Sequence, residues 1–353
     1  MQRRKTRELF IGSIGIGSDH PISIQSMTNT DTRDASATLA QIHALAQAGC
    51  DIVRVTVPDN EAAEALKEIC AQSPVPIVAD IHFDYKLALS AMEAGVDGLR
   101  INPGNIGSRA NVEAVVKMAK EKNIPIRIGV NSGSVPKDIL AKYGGHPTAE
   151  ALVESAMRHV KILEELDFHN IKISLKSSDV PMMIEAYRLI AQMVAYPLHV
   201  GVTEAGNAKH GIVKSAVGIG TLLAEGIGDT IRVSLTGDPL EEVTVAKQIL
   251  RALGLYEHGV DIISCPTCGR TKINLPELVE KIDQATAQIS KPLKIAVMGC
   301  AVNGPGEAKE ADIGIAGGTG EGILFKKGEI IAHVPEDEIV PALLQEIEKM
   351  RRE

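Results

Sequence analysis

Short apolar runs recur between residues 23 and 235, and helix-like stretches separate them. The runs are rich in Val and Ile, which favour β-strands, whereas the stretches between them are rich in Ala, Leu and Glu, which favour helices. The apolar runs are residues 23–29, 52–57, 77–82, 98–103, 126–131, 171–176, 198–203 and 230–235. The helical stretches include residues 37–48, 60–71, 87–94, 111–122 and 149–165. Eight strands alternating with helices predict an α/β fold, a (β/α)₈ TIM barrel, with a doubly wound open sheet as the alternative.

Polar side chains occupy alternate positions in six of these runs. Because successive side chains of a strand point to opposite faces, each polar set lies on one face. The Val and Ile face then packs against the helices, which leaves the polar face to the barrel interior and its upper rim. The polar positions are Arg54, Thr56, Asp80, His82, Arg100, Asn102, Arg127, Asn131, Lys172, Ser174, Lys176, Arg232, Ser234 and Thr236.

The charges on this polar face do not balance. A buried pair such as Arg100 with Asp80 accounts for one cation, since an unpaired buried charge is costly. Arg54, Arg127, Lys176 and Arg232 then have no acid on the strands to pair with. Arginine forks bind phosphate oxygens in bidentate geometry. The surplus therefore predicts a ligand with more than one negative charge, at the barrel end where the active sites of this fold lie.

A smaller domain is predicted after the barrel. Residues 239–253 have the pattern of the closing barrel helix, and residues 256–260 resemble a linker. We therefore predict a barrel domain over residues 1–258 and a small α+β domain over residues 259–353. Its strands are predicted at residues 261–264, 293–298, 312–316, 323–326 and 329–334, and its helices at residues 276–289 and 336–351.

Three of the five cysteines lie in this second domain, beside Pro or Gly. Cys265 and Cys268 are separated by Pro-Thr, and Cys300 begins a string that ends at Glu307. Three thiolates fit an iron–sulfur cluster in which one iron has a different ligand. Zinc, a redox disulfide and unrelated buried thiols are the alternatives, and the spacing alone leaves them open. Cys50 and Cys70 are predicted to be small buried apolar side chains.

The composition argues against several classes of protein. A net charge of −8, the absence of Trp and an aromatic content of 3% argue against nucleic-acid binding. Charged residues interrupt the apolar runs before they reach the length of a membrane span, and no apolar signal core follows the basic N-terminus. An odd number of cysteines argues against a disulfide framework. We therefore expect a soluble cytoplasmic protein.

The barrel cations and the C-terminal cysteines occur together in one known family. Over essentially its whole length the chain resembles bacterial 4-hydroxy-3-methylbut-2-enyl diphosphate synthases, iron–sulfur enzymes of the non-mevalonate isoprenoid pathway, in their compact two-domain form. The most specific match is Cys-Ala-Val-Asn-Gly-Pro-Gly-Glu at residues 300–307. Less specific matches are Gln-Ser-Met-Thr-Asn-Thr, Ala-Asp-Ile-His-Phe, Leu-Arg-Ile-Asn-Pro-Gly-Asn, Ile-Gly-Val-Asn-Ser-Gly-Ser and Val-Thr-Glu-Ala-Gly, at residues 25–30, 79–83, 99–105, 128–134 and 202–206.

The resemblance implies an oxidoreductase that opens 2-C-methyl-D-erythritol 2,4-cyclodiphosphate, removes a hydroxyl and delivers two electrons. The products are (E)-4-hydroxy-3-methylbut-2-enyl diphosphate and water. It also implies that the second domain binds a [4Fe–4S] cluster through Cys265, Cys268, Cys300 and Glu307. The implied substrate-binding residues are Arg54, Asp80, His82, Arg100, Asn102, Arg127, Asn131, Lys176, Thr203, Arg232, Ser234 and Asn303.

Loss of the hydroxyl as water requires a proton, and Glu204, at the end of the seventh strand, is the candidate donor. A surface ion pair with Lys209 is the alternative for this residue. The resemblance further implies a homodimer with the active site shared between subunits, and flavodoxin or ferredoxin as the electron donor. Two other functions stay open on the residues alone: a phosphosugar isomerase or aldolase with a structural zinc domain, and a non-catalytic iron–sulfur electron carrier.

Overall fold

The computed structural model describes residues 2–300 and 308–352. The chain divides into two compact units, Met1–Leu255 and Tyr256–Glu353. Within the described residues, no helix is long and apolar enough to span a membrane. Each unit has its own sheet and its own buried core.

The first unit begins with an antiparallel hairpin of two short strands, β1 (Leu9–Ile11) and β2 (Ile14–Ile16). Gly12 and Ser13 form the turn between these strands, and a second turn begins at Gly17, whose carbonyl oxygen accepts a hydrogen bond from the amide of His20 at 3.2 Å. Leu9, Ile11 and Ile16 pack against Ile52 and Val78, near the N-terminal ends of two barrel strands. The hairpin therefore covers part of the lower end of the barrel with apolar side chains.

Eight parallel strands follow, and their order along the sheet is the order of the chain. They are β3 (Ser23–Met27), β4 (Ile52–Thr56), β5 (Ile77–Asp80), β6 (Gly98–Ile101), β7 (Ile126–Asn131), β8 (Ile171–Lys176), β9 (His199–Val200) and β10 (Thr230–Ile231). β10 pairs with β3, and a parallel bridge between Ile173 and Leu198 joins β8 to the segment that leads into β9. The sheet therefore closes, which confirms the predicted barrel and excludes the open sheet.

Nine helices surround these strands in the first unit, as far as its residues are described. They are α1 (Ala35–Gln47), α2 (Asn60–Gln72), α3 (Tyr85–Ala94), α4 (Arg109–Glu121), α5 (Lys137–Lys142), α6 (Ala149–Glu164), α7 (Val180–Met193), α8 (Ala208–Ala224) and α9 (Pro239–Ala252). Aspartates cap five of them by accepting a hydrogen bond from a backbone amide of the first turn. These caps are Asp34, Asp59, Asp84, Asp179 and Asp238.

In its described residues, the second unit has a five-stranded mixed sheet and two α-helices. Its elements are β11 (Val260–Ser264), α10 (Leu275–Thr286), β12 (Leu293–Met298), β13 (Ile313–Gly317), β14 (Glu321–Lys326), β15 (Glu329–Pro335) and α11 (Ile339–Arg352). The first three strands are parallel and the last two are antiparallel to their neighbours. Apolar residues of both helices, such as Ile282 and Leu343, pack with Ile295 and Ile315 of the sheet. The predicted strands and helices of this domain are therefore present, with their ends displaced by a few residues.

Candidate active site

Eleven side chains from the barrel strands and the loops after them surround a cavity of about 130 Å³. The cavity lies at the C-terminal end of the barrel, where the catalytic residues of this fold lie. Its lining residues are Arg54, Asp80, His82, Arg100, Arg127, Asn131, Ser174, Lys176, Thr203, Arg232 and Ser234. Ten of them are residues implied for substrate binding, and Ser174 is an addition from the same polar set. The alternation of polar and apolar positions has therefore placed these side chains together.

Asp80 forms the anionic centre of the cavity. Its carboxylate is 3.2 Å from Nη1 of Arg100 and 3.5 Å from Nε of Arg54, and the residue is only 3% exposed. Burial alone would raise the pKa of the Asp80 carboxyl, but Arg54, Arg100 and Arg127 outweigh this effect and lower the pKa to about 2. The predicted pair of Arg100 with Asp80 is therefore present, and a second arginine shares the same acid.

Arg232 has an acidic partner that sequence reasoning missed. Glu242 of α9 is 4% exposed and lies 3.2 Å from Nε of Arg232. Its carboxylate also accepts hydrogen bonds from Ser26 Oγ at 2.8 Å and from the amide of Leu235 at 3.1 Å. Because Glu242 belongs to a helix and not to a strand, the alternation of residues along the strands gives no signal for it. The sequence does indicate that this helix begins at Asp238-Pro239. A helix that begins there places its first turn, which includes Glu242, near the strand ends.

A methionine also contacts two of the arginines. Met27 Sδ accepts hydrogen bonds from Nη2 of Arg54 at 2.9 Å and from Nε of Arg54 at 3.2 Å. Nη1 of Arg232 approaches the same sulfur at 3.5 Å. A neutral thioether is a weak acceptor, so it holds the two guanidinium groups in place without cancelling their charge. Met27 therefore orients both guanidinium groups, and their charge is compensated by Asp80 and Glu242 and not by the sulfur.

Arg127 and Lys176 are the least compensated cations of the cavity. Burial first, and then the neighbouring cations, lower the pKa of both side chains well below the ordinary values. A guanidinium nevertheless keeps its proton in proteins, so Arg127 retains its positive charge at an energetic cost. Among the described residues, the cavity has five arginine and lysine side chains, and only two carboxylates contact them: Asp80 contacts Arg54 and Arg100, and Glu242 contacts Arg232. The surplus is three positive charges, and an anionic ligand would relieve it.

Two glycines make room for the cations. A Cβ on Gly129 would lie 2.4 Å from Nε of Arg100, and a Cβ on Gly201 would lie 2.3 Å from the carbonyl oxygen of Arg232 and 2.8 Å from Nζ of Lys176. Arg100 also donates to the carbonyl oxygen of Gly129 at 3.0 Å. The amide of Gly129 donates to Oδ1 of Asn102 at 2.9 Å, so Asn102 fixes this backbone segment and is not among the cavity-lining side chains.

Replacing Gly129 by alanine is expected to raise the KM for the anionic substrate by about 10-fold to 100-fold, because a displacement of about 1 Å in a binding group has effects of this size. The added methyl group would push the Arg100 guanidinium away from Asp80 and from the cavity. Steady-state kinetics of Gly129→Ala measure the effect. Gly133→Ala is the matched control, since its Cβ would meet no atom within 4 Å. An unchanged KM in Gly129→Ala would contradict the assigned role of Arg100.

Glu204 lies in the loop after β9 and is exposed to solvent. Its φ is +51°, a left-handed conformation that costs a non-glycine residue about 1–3 kcal/mol and is enriched at functional sites. The neighbouring Thr203 lines the cavity. Within the described part of the chain, no ion pair joins Glu204 to Lys209, which removes the support for that alternative.

A buried histidine supports the loop after β6. Nδ1 of His159, in α6, accepts a hydrogen bond from the amide of Gly104 at 3.1 Å, and this histidine is 4% exposed. Burial, with a smaller contribution from Arg158, lowers the pKa of His159 to about 4. The sequence places His159 in no motif, because a helix contributes it to a loop that lies far away in the chain.

Stability is expected to fall on acidification because of this histidine. Its pKa is about 4 in the folded chain and 6.5 when unperturbed, so protonation favours the unfolded chain. The contribution of the neutral imidazole to the free energy of unfolding is complete above pH 6.5. It is lost as the pH falls towards 4, by about 3 kcal/mol in total. Urea unfolding at pH 7 and pH 5 tests this, with His159→Gln expected to lose less stability between these values than the unmodified chain. The exposed His146→Gln is the control, and an equal loss in His159→Gln would contradict the assignment.

In the second unit, the cysteines lie where two paired strands end. β11 and β12 are parallel with Ser264 beside Val297, so Cys265 and Cys300 follow neighbouring strand ends. The amide of Gly299 donates to Sγ of Cys265 at 3.2 Å. Hydrogen bonds of this kind are typical of cluster-binding thiolates and tune the reduction potential. Two soft sulfur donors, Cys265 and Cys300, therefore follow neighbouring strand ends and fit part of an iron–sulfur centre. Among the described residues, no three His, Cys, Asp or Glu side chains are placed to hold a metal ion together.

Cys268 is exposed in the loop after β11, and its amide donates to Oγ1 of Thr271 at 3.2 Å. The backbone of Arg270, and then its side chain, lower the pKa of the Cys268 thiol. Burial raises the pKa of both Cys50 and Cys70 to about 12. The sequence predicts small buried side chains at both positions; Cys50 is buried, whereas Cys70 is half-buried. Asn303 and Glu307 lie outside the described residues, so their predicted roles stay predictions.

Two family descriptions cover most of the chain. Residues 6–247 match the GcpE TIM-barrel domain, and residues 261–349 match the GcpE protein C-terminal domain. The chain is 61% identical to the 4-hydroxy-3-methylbut-2-en-1-yl diphosphate synthase (flavodoxin) of Geobacter sulfurreducens over 351 residues, 99% of each chain. The chain belongs to this synthase family. The relative of the same name from Clostridium perfringens is 62% identical over 348 residues, again 99% of each chain.

Membership of the synthase family confirms the predicted family, fold class and activity, that of an oxidoreductase of isoprenoid biosynthesis. The barrel itself is also found outside the synthase family. The solved structure of 3-dehydroquinate dehydratase from Geobacillus kaustophilus superposes with a TM-score of 0.52 at 14% identity, over 71% of this chain and 98% of that one. This likeness concerns the fold alone.

Proposed function

We propose that the cavity of the barrel binds 2-C-methyl-D-erythritol 2,4-cyclodiphosphate. Reductive ring opening and dehydroxylation there would give (E)-4-hydroxy-3-methylbut-2-enyl diphosphate and water. The observation that carries the proposal is the surplus of three positive charges in this cavity. Two phosphate groups joined in one ring present negative oxygens to several sides at once, which suits cations contributed by five different strands and strand ends.

In this proposal the cations have two different roles, which depend on whether a carboxylate already contacts them. Arg54, Arg100 and Arg232 are already held by carboxylates, so they offer their free N–H groups in fixed orientations. Arg127 and Lys176 lack an acid within contact among the described residues, so the substrate phosphates would supply their counter-charge. Neutral donors complete the pocket, and these are Asn131, Thr203 and Ser234. His82 lies exposed at its rim.

The second unit (residues 259–353 in the predicted division) would hold a [4Fe–4S] cluster. Cys265, Cys268 and Cys300 are the thiolate ligands, and Glu307 is the proposed fourth ligand. When bound, such a cluster supplies electrons one at a time and offers one iron with an exchangeable ligand as a Lewis acid for the departing hydroxyl. Glu204 would hold the proton that the hydroxyl takes up on leaving as water. Its strained backbone presents the carboxyl at the loop after β9, beside Thr203.

One experiment tests the reaction and the cofactor together. Anaerobically purified protein is expected to be brown, to contain about four irons per chain, and to convert the cyclodiphosphate with dithionite or reduced flavodoxin. Product formation is followed by phosphorus NMR, and the reduced protein is followed by EPR with and without substrate. Stoichiometric zinc in a colourless protein would overturn the cluster assignment. A reversible redox couple without turnover would overturn the reaction and leave an electron carrier.

We also propose a cytoplasmic enzyme that receives electrons from flavodoxin or ferredoxin. Its three cluster-binding thiols need a reducing compartment, and the relatives named above carry flavodoxin in their names. A homodimer with a shared active site is part of the proposal. The exposed apolar side chains of Val213 and Val217, one turn apart on α8, offer a surface for a second copy.

Mixing two inactive variants tests the shared site. A barrel variant, Glu204→Gln, is unfolded and refolded or coexpressed with a cluster variant, Cys265→Ala. If each site combines the barrel of one subunit with the cysteines of the other, random pairing is expected to restore about a quarter of the full activity, because half of the dimers are mixed and one of their two sites is intact. Activity no higher than that of the separate variants would show that each subunit works alone.

A further inference from the structure

A layer of buried polar side chains lies below the cavity, in the barrel interior. We call it the floor layer. It consists of Ser23 and Gln25 of β3, Arg127 of β7, Lys172 of β8, His199 of β9 and Thr230 of β10, and each is at most 4% exposed. Apart from Arg127, these residues do not line the substrate cavity.

The strand register shows that these side chains face inward together. Lys172 has the same parity as Ser174 and Lys176, which line the cavity. Ser23 and Gln25 share the parity of Met27, which contacts the cavity arginines. Arg127 pairs directly with Lys172, His199 pairs with Thr230, and Thr230 pairs with Ser23. The floor layer therefore has two parts that are continuous across paired strands, Arg127 with Lys172 and His199 with Thr230 and Ser23. The bridge between Ile173 and Leu198 joins them, with His199 one inward position above Lys172.

Many polar atoms of the floor layer have no hydrogen-bond partner among the described residues. They are Ser23 Oγ, both side-chain polar atoms of Gln25, Nε and Nη2 of Arg127, Nζ of Lys172 and Nε2 of His199. His199 uses its other ring nitrogen to contact Thr230 Oγ1, and Arg127 uses Nη1 to contact Ser174. Buried polar groups are almost always satisfied, so several unpartnered atoms in one layer indicate a bound species.

The charge of the floor layer indicates the nature of this species. Its two cations are Arg127 and Lys172, and it contains no acidic side chain. Burial and then Arg127 lower the pKa of Lys172 well below its ordinary value, and Asp229 is the acidic group that opposes this shift. The carboxylate of Asp229 is already engaged by Arg3 and Thr6, both at 3.0 Å, and by the amide of Leu198 at 2.8 Å. Asp80, above the layer, is shared by Arg54 and Arg100. Neither carboxylate is therefore free to neutralise Lys172.

We propose that the floor layer binds a small inorganic monoanion of halide size, held by Nζ of Lys172 and the free N–H groups of Arg127. The amide of Gln25 and the imidazole of His199 supply neutral N–H donors to the same ion. One negative charge there neutralises Lys172 inside the barrel, where an unpaired cation is costly. The ion also holds Nε and Nη2 of Arg127. Nη1 of the same guanidinium then stays directed toward Ser174 and the substrate cavity. The site does not depend on the proposed reaction.

Anomalous diffraction with bromide tests the site directly. Crystals of the cluster-loaded enzyme, grown with bromide as the only halide and with inorganic pyrophosphate to fill the upper cavity, are expected to show an anomalous peak within hydrogen-bond distance of Lys172 Nζ. Water without anomalous signal at this position would overturn the proposal. A peak confined to Arg54 and Arg232, and displaced by pyrophosphate, would overturn it too, because that ion would belong to the substrate cavity.

A solution experiment tests the same site without crystals. The thermal unfolding midpoint of the enzyme is expected to rise with bromide concentration when ionic strength is kept constant with gluconate, because a ligand of the folded state stabilises it. Lys172→Met is expected to lose this dependence, and the exposed Lys161→Met is expected to keep it. If Lys172→Met does not fold, the unmodified enzyme decides: a midpoint that is insensitive to bromide would overturn the proposal.

Discussion

Replacing Cys265 by alanine is expected to give a colourless protein that has lost most of its iron and shows turnover no higher than a sample without enzyme. Cys265 follows β11, accepts a hydrogen bond from the amide of Gly299 at 3.2 Å, and lies beside the strand that leads to Cys300. Removing it would take away one of three thiolates, and two cysteines with one carboxylate do not complete a cluster. Iron analysis, visible absorption and turnover of the cyclodiphosphate measure the change.

The chain provides a matched control for this variant in Cys50→Ala. Cys50 is 3% exposed, and its Sγ donates to the carbonyl oxygen of Ile52 at 3.1 Å. It lies in the barrel unit, whereas the three proposed cluster cysteines lie in the second unit. Its replacement is expected to cost some stability but to leave iron content and turnover unchanged. Full iron content in Cys265→Ala would show that this cysteine is not a ligand. Iron loss in Cys50→Ala would show that the assay reports folding and not the cluster.

Glu204→Gln is expected to lower kcat by about 10²-fold to 10⁴-fold, the usual contribution of a positioned acid or base. KM is expected to stay close to its original value, because the amide has the same shape and the five cations that hold the substrate are unchanged. Steady-state kinetics with dithionite as reductant measure both parameters and avoid effects on the electron donor. The iron content of the variant is measured in the same samples.

Lys209→Met is the control that separates the two roles considered for Glu204. If Glu204 acted by pairing with Lys209, both variants would lose activity together. We expect Lys209→Met to remain active, since no ion pair joins the two residues within the described part of the chain. Unchanged kcat in Glu204→Gln would exclude this residue as the proton donor. A large rise in KM with unchanged kcat would assign it to binding instead.

The barrel and its cavity could be predicted because the relevant information lies in the strands themselves. Alternating polar and apolar positions identify the inward face, and the strand register brings Asp80, Arg100 and Arg127 to one level, with Arg54 one inward position below. Glu242 could not be predicted in this way. It follows Arg232 by ten residues, and a helix, not a strand, brings it to the strand ends. Met27 was missed for a different reason: a thioether carries no charge and is ordinarily counted with the apolar residues.

The second unit shows where spacing alone stops being informative. Cys265 and Gly299, the residue before Cys300, are 34 residues apart in the chain, and only the pairing of β11 with β12 brings them to one edge. The spacing of the cysteines therefore left zinc and a disulfide open. The family resemblance decided between them, because it depends on the whole string from residue 300 to residue 307. The cluster-binding role of Glu307 and the substrate-binding role of Asn303 stay predictions.

The β1–β2 hairpin has a consequence for the order in which solutes leave the barrel. Its apolar side chains pack below Ile52 and Val78, so water and ions have little access from that end. Because the hairpin covers part of the lower end, we expect a small ion in the floor layer to enter and leave mainly through the opening that the substrate uses. With substrate bound above it, the ion would be trapped, and its exchange rate would become a measure of how often the substrate departs.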